Sequence, residues 1–199
     1  MPGPNALSQQ PKKRGSWLLD VALAPWNYAL SLLADAAASV GMFIWAAFTL
    51  KPGVDLLPIA LCALLGYTFT EYAWHRWLFH GRTSPRAFLQ GHGRHHAIPQ
   101  ARLALPFFTT IPHAALVWSL ACLVIGPHRA AFFTGVWFLG YSAYGGIHHL
   151  VHTPSVTNAF ITRLRVIHDL HHARPRRNFG VTTQLWDRVF RTWSAPTPA

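Results

Sequence analysis

His168-Asp169-Leu170-His171-His172 is an H-x-x-H-H cluster, and the same pattern stands earlier as His92-Gly93-Arg94-His95-His96. Positions i, i+3 and i+4 share one helix face, so each cluster is expected to aim three imidazoles the same way. Two looser pairs accompany them, His75 with His80 and His148 with His152. Together the four groups use ten of the thirteen histidines. Neutral imidazole is the commonest side-chain metal ligand, and nothing in packing asks for H-x-x-H-H twice. The four groups read as metal-ligating.

Around these clusters the chain is apolar. Of 199 residues, 51% are hydrophobic and only 12% charged, well below the quarter usual in a soluble domain. The length suits one domain, and the profile is that of a membrane protein. A net charge of +11 raises nucleic-acid binding, but the apolar runs argue against it. Cys62 and Cys122 both lie inside apolar runs and imply no disulfide framework.

Four apolar stretches are long enough to span a bilayer, at roughly 27–50, 54–74, 105–125 and 131–147. Residues 1–16 read as a disordered basic tail, and 17–199 as one domain. Pro25 separates a short interfacial helix from the first span. Asp35 lies within that span beside Ser31, Ala34, Ala38 and Gly41, and reads as a helix-packing residue. The polar segments 76–103 and 153–193 form a helical cap, with a basic helix over 156–173. The fold class is therefore all-α: four transmembrane helices under a cap that carries the histidines.

Charge fixes the orientation. Fifteen of the seventeen Lys and Arg fall in the N-terminal tail or the two cap segments, and only Lys51 and Arg129 in the alternate turns. Both termini and all four histidine groups are then cytoplasmic. His75 and His80 sit five residues apart, roughly 140° around an α-helix. Either the helix ends between them or they address different ions. His149 adjoins the third pair as a possible extra ligand. His113 has no evident role, and His128 lies in an exposed turn.

Ten imidazoles suit two ions with about five nitrogens each. A structural zinc site would be closed and normally cysteine-bearing, and no Cys lies near. The absence of H-E-x-x-H counts against a zinc protease. Two open metals at a membrane surface suit oxidation of a lipid C–H bond by O2, as non-haem iron performs. The spans would supply an apolar slot for an acyl chain. Glu71, Asp169 and Asp187 are expected to accept hydrogen bonds from the far imidazole nitrogens, with a helix cap or a pair with an arginine as the alternative for Asp187.

The order of motifs resembles a known family. Glu71-Tyr72-x-x-His75-Arg76-x-x-x-His80 is followed by His92-x-x-His95-His96, His148-x3-His152 and His168-x-x-His171-His172. The tail Asn178-Phe179-Gly180-Val181-Thr182-Thr183-x-Leu185-Trp186-Asp187-Arg188-x-Phe190 completes the pattern. This is similar to the fatty acid hydroxylase superfamily of integral-membrane di-iron oxygenases, and most like its fatty acid 2-hydroxylase branch. The resemblance implies two iron ions at the ten histidines, O2 as co-substrate, and a lipid substrate hydroxylated on its acyl chain, with C2 a candidate position. It also implies a separate electron donor of ferredoxin or cytochrome b5 type. Carotenoid or sterol-type hydroxylation or desaturation is the alternative, and a non-enzymatic metal-binding or transport protein a remoter one. Imidazole sites bind zinc at least as well as Fe(II), so purified protein can carry zinc. Arg191 departs from the family pattern, standing where Gly is usual.

Overall fold

The computed structural model describes residues 17–196 apart from 52 and 101. The basic tail expected at 1–16 lies outside the described residues. The elements are α1 (Trp17–Ala22), α2 (Pro25–Thr49), α3 (Leu57–Ala73), a π-turn (Trp74–Phe79) and α4 (Arg86–Ala97). A 3-10 turn (Phe107–Thr109), α5 (Thr110–Ile125), α6 (Pro127–Val151), α7 (Ala159–Ala173) and α8 (Leu185–Val189) follow. No strand occurs among the described residues.

Proline and glycine punctuate the long helices as their chemistry demands. Pro25 opens α2, and Pro127 opens α6 behind Gly126, whose φ of 75° ends α5. The last expected apolar stretch stopped at 147, but α6 continues to Val151 and carries His148 on its final turns. Asn158 caps α7 by accepting from Phe160 and Ile161 N–H, so that helix begins three residues later than its pattern suggested.

α6 is the central helix, packed against α2, α3 and α5. Gly140 lets it approach α3 closely: a Cβ there would lie 2.6 Å from the ring of Tyr67. Polar groups tie the bundle together. Asn27, Ser31, Asp35 and Ser39 recur every fourth residue along α2 and are all buried. Ser31 donates to Leu105 O at 2.7 Å and Ser39 to Gly135 O at 2.8 Å. Thr110 donates to Asp35 at 2.6 Å, so Asp35 joins α2 to α5. Gly41, grouped with this stripe in the sequence, meets nothing within 4 Å.

Two helical segments, Pro25–Thr49 and Phe107–Ile125, are long and apolar enough to cross a bilayer. Their outward faces are greasy: Phe48 is 86% exposed and Leu123 83%. Such a surface is stable in hydrocarbon and not in water. The carboxyl ends of α3 and α6 lead to one end of the bundle, where α4 and α7 bring the remaining histidines.

Candidate metal centre

The ten histidines converge. His75, His80, His92, His96 and His171 form one group, and His95, His152, His168 and His172 a second; within each, one ring nitrogen per residue lies within 4.8 Å of all the others. His148 joins the second group through its Nε2, 3.1 Å from that of His168.

Each H-x-x-H-H is divided between the groups. On α4, His92 and His96 face the first group and His95 the second. On α7, His168 and His172 face the second and His171 the first. The i, i+4 pair clamps one group while the intervening position leans into its neighbour, instead of all three aiming together. The groups touch where His96 stacks on His172, 4.3 Å between ring centroids.

His75 and His80 serve one group, so they do not address different ions. The helix ends between them, as the first alternative expected: it widens into the π-turn over Trp74–Phe79 and stops one residue before His80. Hydrogen bonds there span five residues instead of four, so positions five apart come roughly into line. His75 Nε2 lies 3.1 Å and His80 Nε2 2.9 Å from His92 Nε2.

The protonation pattern suits a cation. His75 Nδ1 donates to Phe179 O at 2.5 Å and His171 Nδ1 to Arg177 O at 2.8 Å. A carbonyl only accepts, so these Nδ1 atoms carry the proton and each Nε2 turns a lone pair inward. Five Nε2 atoms converge there, with His96 Nε2 3.1 Å from His171 Nε2 and 3.0 Å from His92 Nε2. In the second group, His168 Nε2 lies 3.1 Å from His148 Nε2 and 3.2 Å from His172 Nε2, and His152 Nε2 is buried without a hydrogen-bond partner. Converging ring nitrogens of neutral imidazoles are costly alone and favourable around a positive ion. Burial, with help from neighbouring imidazoles, holds His80, His96, His152 and His172 down to about 4. They are neutral at physiological pH, the form that binds metal.

The carboxylates act one step further out than the sequence suggested. Glu71 accepts from Val181 N at 2.7 Å, from Thr182 N at 2.9 Å and from the Thr182 hydroxyl. Asp187 accepts from Phe179 N at 2.9 Å, Gly180 N at 2.7 Å and the Thr192 hydroxyl at 2.7 Å. Neither touches an imidazole. They clamp the 177–182 loop, whose carbonyls orient His75 and His171. Gly180 is required there, because a Cβ would lie 1.9 Å from Thr183 O. Asp169 is exposed on α7 and has no hydrogen bond among the described residues. Backbone carbonyls carry no side-chain signature, so only the Asn-Phe-Gly tail hinted at them.

Sequence reading also passed over Arg165. Its guanidinium donates to Val151 O, Thr153 O and Val156 O at 2.8 Å each, and to Leu150 O at 3.3 Å. It thereby satisfies carbonyls at the end of α6, which carries His148 and His152, from α7, which carries His168 and His172. Arg165→Ala should weaken metal binding at the second group by about tenfold or more while sparing the first, a loss visible as metal content per chain. Arg165→Lys should restore it only in part, since an ammonium lacks the guanidinium fork.

A cavity of about 280 Å³ runs from the bundle to this centre. Leu18, Trp74, Phe88, Leu105 and Trp137 line it, together with His92 and His148, one from each group. His113 stacks on Trp74 in its wall, giving that histidine a place in the cavity and none in the metal groups. His149 packs against Tyr28, its ring centroid 5.7 Å away, and belongs to neither group. His128 is exposed at the start of α6, at the opposite end.

The fatty acid hydroxylase family matches residues 60–192, which include every one of these ten histidines. The chain belongs to that family. It is 32% identical over 145 residues to the dihydroceramide fatty acyl 2-hydroxylase FAH1 of Arabidopsis thaliana, covering 69% of this chain and 61% of that one. It is 31% identical over 193 residues to the ceramide very long chain fatty acid hydroxylase scs7 of Schizosaccharomyces pombe, covering 89% and 53%. The chain thus spans between half and two thirds of these relatives' length. The solved structure of full-length scs7p, in which only the hydroxylase domain is visible, shares the fold with a TM-score of 0.71 at 24% identity, over 93% of this chain and 72% of that one. Arg191, expected from the resemblance to stand in place of a Gly, adopts φ 58°, the left-handed conformation a glycine would take freely. The turn forms nonetheless, held by Arg177 donating to Arg191 O at 2.9 Å.

Proposed function

We propose that the chain is an integral-membrane, O2-dependent, two-metal hydroxylase that inserts oxygen into a C–H bond of a fatty acyl chain, at C2. The observation that carries this reading is the apolar cavity whose lining includes His92 and His148, one residue from each histidine group. An acyl chain held there would lie against both groups.

Each residue has a defined part. His75, His80, His92, His96 and His171 would hold one iron, and His95, His148, His152, His168 and His172 the other. Bound iron would supply O2 activation, which acid–base groups cannot. One oxygen atom enters the C–H bond, the other leaves as water, and two electrons and two protons come from outside. The Phe179 and Arg177 carbonyls fix the tautomers of His75 and His171. Leu18, Phe88 and Trp137 exclude water and hold the chain straight. The exposed Arg174, Arg176 and Arg177 suit an acidic electron carrier of ferredoxin or cytochrome b5 type, close to His171 through the Arg177 carbonyl. We also assign four spans, to α2, α3, α5 and α6, with both termini and the histidines cytoplasmic. Support comes from the charge distribution and from outward-facing Leu57 and Leu65 on α3. The relatives' names, which specify 2-hydroxylation of a fatty acyl group, favour C2.

The test is mass spectrometry of hydrolysed lipids from cells expressing the chain, against cells expressing His171→Ala. An acyl species heavier by one oxygen at C2, absent from the variant, is the expected result. Unchanged acyl lipids would refute the acyl assignment.

Acid should strip the metal late. A free imidazole titrates near 6.5, and protons compete with metal for it. The histidines held at about 4 stay neutral well below that. Their folded pKa lies below the unfolded one, so folding stability is full above about 6.5 and declines as pH falls from there toward 4. Metal retention after dialysis should therefore persist to about pH 5 and fail below it. Half-loss near pH 6.5 would contradict the buried, neutral arrangement.

A further inference from the structure

We propose that a second, polar cavity beside His148 and His149 binds an anionic headgroup of the substrate and so sets which carbon reaches the metal groups. The inference rests on the acyl-hydroxylase reading above. This cavity has about 330 Å³. Gln100, Arg102, His149 and Thr153 line it, and no lining residue is acidic. It shares Leu103 and His148 with the apolar cavity, so a strongly apolar space and one with more polar lining meet at one wall.

An acyl lipid is divided the same way. When the reacting carbon is C2, a single carbon separates it from the polar part of the molecule. The headgroup must then lie against the same histidines, on the side away from the chain. The polar cavity is that space, with His95 and His152 on its wall.

Arg102 gives the space its selectivity. Its guanidinium lies over the Tyr28 ring, 5.9 Å from the centroid, and has no carboxylate partner among the described residues. The platform is fixed, because the Tyr28 hydroxyl donates to Gly145 O at 2.8 Å. The Thr153 hydroxyl is occupied, donating to His149 O at 2.8 Å. Arg102 and Gln100 remain as donors for a ligand. A guanidinium without an acid suits a carboxylate or a phosphate. Neutral imidazole ligands would leave the metals' positive charge uncompensated, which favours an anion on the same side. The headgroup acts as the fixed end of a ruler, and the acyl chain extends from it past Leu103.

The experiment titrates the purified chain, metal-free and iron-loaded, in detergent. The probes are palmitate, dipalmitoyl phosphatidate and the uncharged N-palmitoyl dihydrosphingosine, with binding read by native mass spectrometry. At least one anionic lipid should bind about tenfold more tightly than the neutral one, with or without iron, and Arg102→Gln should erase that preference. Preference for palmitate alone identifies a free carboxylate, and preference for phosphatidate alone a phospholipid headgroup. In the iron-loaded protein supplied with O2 and a reduced ferredoxin as electron source, Arg102→Gln should spread hydroxylation from C2 to neighbouring carbons. Equal binding of all three lipids, or an anion preference that survives Arg102→Gln, would overturn the proposal. An anion preference without any hydroxylated product would leave the headgroup site standing and sink the hydroxylase reading.

Discussion

Replacing His171 by alanine is expected to lower the metal content from two ions per chain to about one and to abolish hydroxylation. His171 is wholly buried, and its Nε2 lies 3.1 Å from those of His80 and His96. Removing it deletes one nitrogen of five and leaves a hole where the lone pairs met. Loss of a mere hydrogen-bond partner to a ligand costs about 10–100-fold in metal affinity, so loss of the ligand should cost at least that. The second group keeps all its own nitrogens and should stay loaded. Metal analysis beside a circular dichroism spectrum separates this from misfolding. His128→Ala, at the far end of α6, is the control. Metal loss there would mean that the ligands are misassigned.

A comparable loss should follow Asp187→Ala, although Asp187 touches no histidine. Its carboxylate satisfies the Phe179 and Gly180 N–H groups and the Thr192 hydroxyl, and it is wholly buried. Each buried N–H left unpaired costs about 1–3 kcal/mol, so the variant should lose about 2–5 kcal/mol of stability. The loop would also release the Phe179 and Arg177 carbonyls that hold His75 and His171. Both of those histidines belong to the first group, so metal should leave that group preferentially. A thermal melt and metal analysis of one preparation read both effects. Asp169→Ala should change neither, since Asp169 is exposed and makes no hydrogen bond among the described residues. An Asp187 variant with native metal content and melting temperature would show the loop to be dispensable.

How far the sequence carried can be judged residue by residue. Six of the ten histidines stood out because i, i+3, i+4 spacing is a local property of a helix, and the two looser pairs stood out beside them. Their division into two groups was not legible, since it depends on how α4 and α7 lie against α3 and α6. For His75 and His80 the 100° step left two alternatives open, and the structure has the helix end between them, after a π-turn that spacing alone did not suggest. The π-turn is a tertiary choice that lets both reach one site. The roles of Glu71 and Asp187 did mislead. An acid near a histidine motif suggests a direct bond, but here the bond runs through a backbone carbonyl. Along α2, Asp35 was noticed as a packing residue, while Asn27 and Ser39 on the same buried stripe were not, being unremarkable in an apolar run. The apolar stretches themselves were plain, and only their ends moved, as with α6 extending to Val151.

The most direct test of a two-metal centre is the iron content of the purified chain after anaerobic loading with Fe(II) and desalting. Two ions per chain, falling to about one in His171→Ala and in His168→Ala separately, is the predicted result. One ion per chain in the unaltered protein, lost entirely in either variant, would show a single site and contradict the account.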